Sequence, residues 1–146
     1  MKTSIRGIKL IQDFEGCELT AYKCPAGKWT IGYGNTFYQD GTPVKEGDKI
    51  TQMNANKLLL DLLPKFELIV IRSLKAPLTI TQNQFDALVS YTWNTGGSET
   101  LFKLINNHSS LAAIRNWFET KYITDNGKVE SGLIKRRKAE ADLFCK

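Results

Sequence analysis

The sequence predicts an α+β fold, with a small lobe carrying an antiparallel β-hairpin and a larger helical lobe, as a single domain over residues 1–146. Three observations carry this reading. Residues 19–36 are rich in β-formers and alternate with glycine, whereas the segments on either side repeat apolar residues every three or four positions. A long apolar stripe between residues 51 and 74 can join the two parts. No internal repeat or low-complexity tract divides the chain further. At 146 residues the chain can bury one sizeable core, and 42% apolar against 24% charged residues excludes a disordered polypeptide.

The first helix is expected over residues 4–14, where Ile8, Ile11 and Phe14 recur at three-residue steps. Thr3 or Ser4 can cap its start, and Gly16 lies where it should stop. Thr20, Tyr22, Trp29, Thr30, Ile31 and Tyr33 then favour strands, and Pro25-Ala26-Gly27 signals the hairpin turn. Gly32 and Gly34 weaken a strand unless something must approach its backbone closely. Asp40-Gly41 marks another turn, and Thr42-Pro43-Val44 is expected as a short edge strand.

A helix begins at Thr51 with Met53, Leu58, Leu59, Leu62 and Leu63 as core candidates, and Pro64 should kink or end it. Phe66, Ile69, Val70 and Leu74 continue the stripe. The second half reads as all-helical. Thr81 caps a helix bearing Phe85, Leu88, Val89 and Trp93 that closes at Gly96-Gly97. Residues 101–105 form a short helix, and Ser109 or Ser110 caps another through Phe118. After the turn Asp125-Asn126-Gly127, residues 133–144 form the last helix.

Several function classes drop out. Three cysteines, Cys17, Cys24 and Cys145, are not a disulfide scaffold and suit a reducing cytoplasm. No secretion signal is visible at the start, and charges and Pro64 interrupt the most apolar run. His108 is the sole histidine, so no Ser-His-Asp set exists, and no metal cluster has credible spacing. The glycines of residues 27–34 are not followed by Lys-Ser/Thr and a helix, so they form no phosphate loop. The net charge of +5 suits a polyanionic partner, but nothing beyond charge argues for nucleic acid.

What remains is a spacing. Glu15 ends the first helix, Cys24 follows nine residues later and Thr30 six after that. A carboxylate at a helix end, faced by small polar groups on a glycine-rich β segment, suits cleavage of a sugar polymer. That chemistry needs an acid over the glycosidic oxygen and a polar group holding water on the opposite face. Phe14, Trp29 and Ile31 offer apolar surroundings of the kind that help a carboxyl group keep its proton. A thiol near pH 7 is mostly neutral and a poor base, with a reference pKa of ~8.5. A threonine hydroxyl both donates and accepts, which suits holding a water.

The run Trp29-Thr30-Ile31-Gly32-Tyr33-Gly34 with Glu15 and Cys24 closely resembles the catalytic segment of phage-type lysozymes, glycoside hydrolase family 24. Trp93-Asn94-Thr95-Gly96 and residues 132–140, including Arg136-Arg137-Lys138, extend the resemblance nearly end to end. The resemblance implies a lysozyme-like fold with a cleft between the lobes. It implies Glu15 as general acid, Cys24 as the Asp-or-Cys position and Thr30 as the water-orienting residue. Asn94, Asn35 and Tyr22 are the implied substrate contacts; Asn35 stands where the family often has His. Arg136 is the implied support of Glu15, while Arg137 and Lys138 are expected on a solvated basic face. The implied reaction is hydrolysis of the β-1,4 bond between N-acetylmuramic acid and N-acetylglucosamine in bacterial peptidoglycan, without cofactor. A monomeric phage endolysin is expected, made in the host cytoplasm, released through a holin-type pore and attracted to anionic envelope surfaces through its last helix. The alternatives are a lytic transglycosylase acting on the same bond and a non-catalytic basic wall- or membrane-binding protein.

Overall fold

The structure, a computed structural model, describes residues 1–76 and 79–146. Among the described residues the order is α1 (Ile5–Glu15), β1 (Glu18–Lys23), β2 (Trp29–Gly32), α2 (Gln52–Ser73), α3 (Gln82–Thr95), α4 (Glu99–Asn106), α5 (Leu111–Thr120), β3 (Thr124–Asp125), β4 (Lys128–Val129) and α6 (Ser131–Phe144). The chain divides into two compact units. One comprises Ile11–Lys65, the other Met1–Leu10 together with Phe66–Lys146.

In the Ile11–Lys65 unit, α1 ends as expected. Gly16 takes the left-handed conformation at φ 64° and donates its N–H to the Gln12 carbonyl at 3.0 Å. β1 and β2 pair antiparallel, with Tyr22 opposite Thr30 and Lys23 opposite Trp29. The Cys24–Lys28 turn is closed by Cys24 N–H to the Lys28 carbonyl at 2.9 Å. Between Glu18 and Tyr22 the register shifts. In that bulge Leu19 and Ala21 bond instead to Ile50 and Asp48, both at 2.9 Å. Thr42-Pro43-Val44 does not form a strand. It makes one antiparallel bridge, Phe37 to Pro43, because Pro43 has no N–H to extend a ladder. Ile31, Leu59 and Ala55 are fully buried in this unit.

α2 corrects one expectation and narrows another. Met53 is not core but 79% exposed. Pro64 does not end the helix, which runs on to Ser73. Proline removes the bond to the carbonyl four residues earlier, here that of Leu60. Leu60 and Pro64 are both exposed, so water can satisfy that carbonyl.

In the other unit, two buried carboxylates hold the first residues. Glu67 accepts from Thr3 N–H at 2.7 Å and Thr3 Oγ1 at 2.8 Å. Asp86 accepts from Ser4 N–H at 2.9 Å and from the Ser4 hydroxyl. Thr81 and Gln84 form a reciprocal capping box on α3, and Gly96 closes it at φ 84°. Ser98 and Ser110 cap α4 and α5. α6 packs on α3 and α5, and Phe118 meets Tyr91 edge-on at 5.6 Å and Phe144 at 5.8 Å. The second half is not wholly helical. β3 and β4 form a tight hairpin about Asn126 and Gly127, both at positive φ.

Candidate active site

The site is assembled by the hairpin and the end of α1. Glu15 is the last residue of α1 and is half-buried. Its carboxylate rests on the backbone of Gly34. A β-carbon at residue 34 would lie 2.6 Å from Glu15 Oε2 and 3.3 Å from its carboxyl carbon. Gly34 also sits at φ 79°, where other residues are strained. This close approach is the reason for the glycine alternation, a role the sequence signalled without naming the residue.

Residues 31–35 fold into a tight loop. Ile31 and Asn35 exchange N–H to carbonyl bonds of 2.9 and 3.0 Å. Asn35 Oδ1 accepts from Tyr33 N–H at 3.2 Å, and the Asn35 side chain is 5% exposed. The expected substrate contact is therefore a corner-holding residue instead, because its side-chain oxygen is used inside the loop. Tyr33 anchors that loop, donating to Asn56 Oδ1 at 2.8 Å and accepting from Gln52 Nε2 at 3.0 Å.

Cys24, Thr30 and Tyr22 come together on one face of the hairpin, as their period-two spacing and the Tyr22–Thr30 register require. Partial burial is the largest influence on the Cys24 thiol and pushes its pKa up. The Lys28 backbone, the Thr30 hydroxyl and the backbone of Ala26 and Cys24 outweigh it, so the net shift is downward. The thiolate is thus more accessible than in an ordinary cysteine. The Tyr22 phenol is pushed up, first by burial, then by the negative charges of Glu15, Glu18 and Cys24. Those influences place Tyr22 beside both Glu15 and Cys24, and its ring is 39% exposed, open to a ligand. Thr30 is buried and donates its hydroxyl proton to the Lys28 carbonyl at 3.0 Å. A hydroxyl so engaged meets water with its lone pairs.

The remaining candidates lie in the other unit. Asn94 is exposed, and its Oδ1 accepts from Arg137. Arg136 is buried, with Nε donating to Glu140 Oε1 and a terminal nitrogen to the Ser90 carbonyl, both at 3.1 Å. Arg137 corrects the expectation of a solvated face. It is fully buried, paired with Glu140 Oε2 at 3.0 Å and set over the Tyr91 ring at 4.9 Å. Burial pushes the Glu140 pKa up against the pull of Arg137 and Arg136. Lys138 is exposed, as expected, and pairs with Asp142 at 3.1 Å.

A half-buried carboxylate over a glycine seat, with Tyr22 feeling both its charge and that of the Cys24 thiol, suits the chemistry of a glycoside hydrolase. Comparison with known proteins agrees. The family model described as phage lysozyme matches residues 12–140. The endolysin of Acyrthosiphon pisum secondary endosymbiont phage 1 is 39% identical, covering 99% of this chain and 98% of its own. The endolysin of Bacillus phage B103 is also 39% identical over 99% of this chain, which spans only 54% of that longer relative. Among solved structures, the endolysin from Escherichia coli O157:H7 phage FAHEc1 has a TM-score of 0.81 at 39% identity, covering 99% of this chain and 93% of its own. The muramidase domain of SpmX from Asticaccaulis excentricus has a TM-score of 0.83 at 31% identity, covering 99% and 98%. The chain belongs to the phage lysozyme family of glycoside hydrolases. No helix among the described residues is long and apolar enough to cross a membrane.

Proposed function

We propose that this chain is a muramidase that hydrolyses the β-1,4 bond between N-acetylmuramic acid and N-acetylglucosamine in peptidoglycan, as a phage or prophage endolysin. The observation that carries the reading is the seat of the Glu15 carboxylate on Gly34, with Tyr22 feeling the charges of both Glu15 and Cys24. Glu15 gives its proton to the leaving glycosidic oxygen as the bond to the anomeric carbon breaks. A water donates one hydrogen bond to Thr30 Oγ1, leaving an oxygen lone pair aimed at the anomeric carbon. The Cys24 thiolate takes the proton that this water loses, and its negative charge stabilises the oxocarbenium-like transition state. Tyr22 and Asn94 contact the glycan, and Arg136 supports Glu15.

The reading treats residues 1–146 as one catalytic domain, since α1 and α2 each have residues in both units. The net charge of +5 favours encounter with an anionic wall. Release through a holin-type pore brings the protein to its substrate. The test is clearing of purified peptidoglycan followed by mass spectrometry of the fragments. Free reducing ends are expected. Fragments ending in 1,6-anhydro sugars would replace the hydrolase reading with a transglycosylase, and intact glycan would replace it with a binder.

A further inference from the structure

The two faces of the β1–β2 hairpin carry different chemistry. Consecutive strand residues point to opposite faces, so Trp29 faces away from Thr30 and Lys23 away from Tyr22 and Cys24. On that second face lies an open pocket of about 520 Å³, within the range of small-ligand sites. The turn at residues 27–29 forms one wall. The other is the Thr36–Phe37 segment and its bridged partner Pro43–Val44. Val44 N–H to the Thr36 carbonyl at 3.0 Å and Tyr38 N–H to the Thr42 carbonyl at 2.8 Å hold that wall in shape.

Two aromatic rings and three ammonium groups converge here. Trp29 and Phe37 line the pocket and are only half-buried. Lys23 Nζ stands 5.4 Å from the Trp29 ring centre, and Lys65 Nζ stands 4.6 Å from that of Phe37. Lys28 also lines the pocket. The acids next along the chain are Asp40 and Glu46, both exposed, and Thr42 N–H caps the Asp40 carboxylate at 2.8 Å. The catalytic chemistry uses none of these side chains.

We propose that this face is a second carbohydrate subsite, which seats an anionic glycan strand with sugar faces on Trp29 and Phe37 and carboxylates on Lys23, Lys28 and Lys65. The rings present negative π faces to the weakly positive C–H faces of pyranose rings. The lysines, already held over those rings, meet carboxylates such as those on the stem peptides of the wall polymer. A strand held here raises the local concentration of cleavable bonds at the opposite face of the same hairpin. The inference rests on peptidoglycan being the substrate.

The experiment uses the full chain with Glu15→Gln, so that bound glycan persists. The probe is soluble, un-crosslinked peptidoglycan strands that retain their stem peptides. NMR follows the Trp29 indole N–H, assigned with Trp29→Phe, and the Thr30 methyl group on the catalytic face. Both signals should shift on titration. Lys23→Glu with Lys65→Glu should weaken the Trp29 response by about fivefold or more, as reversal of solvent-exposed charge contacts predicts, and should move the Thr30 midpoint in the same direction by less. A Thr30 response with a silent Trp29, or a Trp29 response indifferent to the lysine reversals, would overturn the subsite and leave the muramidase reading standing. Silence at both positions would remove the substrate reading, and the subsite with it. Thermal melts of each variant establish that it is folded before titration.

Discussion

Gly34→Ala is the most direct perturbation of the proposed mechanism, because it touches the general acid without altering any polar group. The new methyl carbon would lie 2.6 Å from Glu15 Oε2. Carbon and oxygen tolerate roughly 3.2 Å or more, so the carboxylate must retreat by about half an ångström or the loop must shift. A misplacement of about 1 Å at a reacting group can cost ~10²-fold, so a loss of roughly ten- to a hundredfold in kcat is expected. The substitution also places a non-glycine residue at φ 79°, at a cost of about 1–2 kcal/mol. Gly47→Ala separates the two effects. Gly47 lies at φ 86° with nothing near its missing side chain, so it carries the strain without the contact. Both variants should melt a few degrees lower, by roughly 2–4 °C per kcal/mol, but only Gly34→Ala should lose most of its activity on purified peptidoglycan. Gly34→Ala with activity within about twofold of the parent would refute the carboxylate seat.

Further outcomes are expected. Glu15→Gln should remove ~10²–10⁴-fold of activity with an unchanged melting curve; near-parent clearing would remove Glu15 from the chemistry. Because the Cys24 pKa is lowered, the thiolate share grows as pH rises and begins to grow below the ordinary thiol range. Activity needs that thiolate together with a protonated Glu15, so Cys24→Asp, ionised from about pH 4 upward, should extend activity to more acidic pH. Superimposable pH profiles for parent and Cys24→Asp would exclude Cys24 from the rate-determining chemistry. Arg137→Ala removes one of the two guanidinium partners of buried Glu140 and leaves Arg136, so it should destabilise by about 3 kcal/mol, whereas Lys138→Ala at the surface should stay within about 0.5 kcal/mol. Chemical denaturation of the two variants checks the contrast.

Local signals in the sequence were reliable where the physics is local. Gly16 stops α1, Thr81 with Gln84 starts α3, and Gly96 ends it, because caps are satisfied by residues within a few positions. The Cys24–Lys28 turn and the pairing of Tyr22 with Thr30 follow from turn chemistry and period two. What failed depends on distant partners. Arg137 looks like one of three similar cations, yet Asn94, Tyr91 and Glu140 receive it in the interior. Asn35 is a substrate contact only by the family resemblance, and the closed loop shows its side-chain oxygen turned inward. Pro64 reads as a kink or an end, and only the exposure of Leu60 shows why the helix can run through it. Gly34 was visible as an anomaly whose cause, the Glu15 carboxylate, lies 19 residues earlier in the chain.

The two-sided hairpin has a consequence for how its turn can vary. Side chains alternate strictly along β2, so a single-residue insertion or deletion between Cys24 and Trp29 that slid the strand by one would exchange its faces. Thr30 would then point into the aromatic pocket and Trp29 to the face that carries Tyr22 and Cys24. The turn can therefore change length in steps of two, or through a bulge that absorbs the extra residue as the one between Glu18 and Tyr22 does. Parity, more than composition, governs which lengths of this turn keep the threonine on the face of Tyr22 and Cys24.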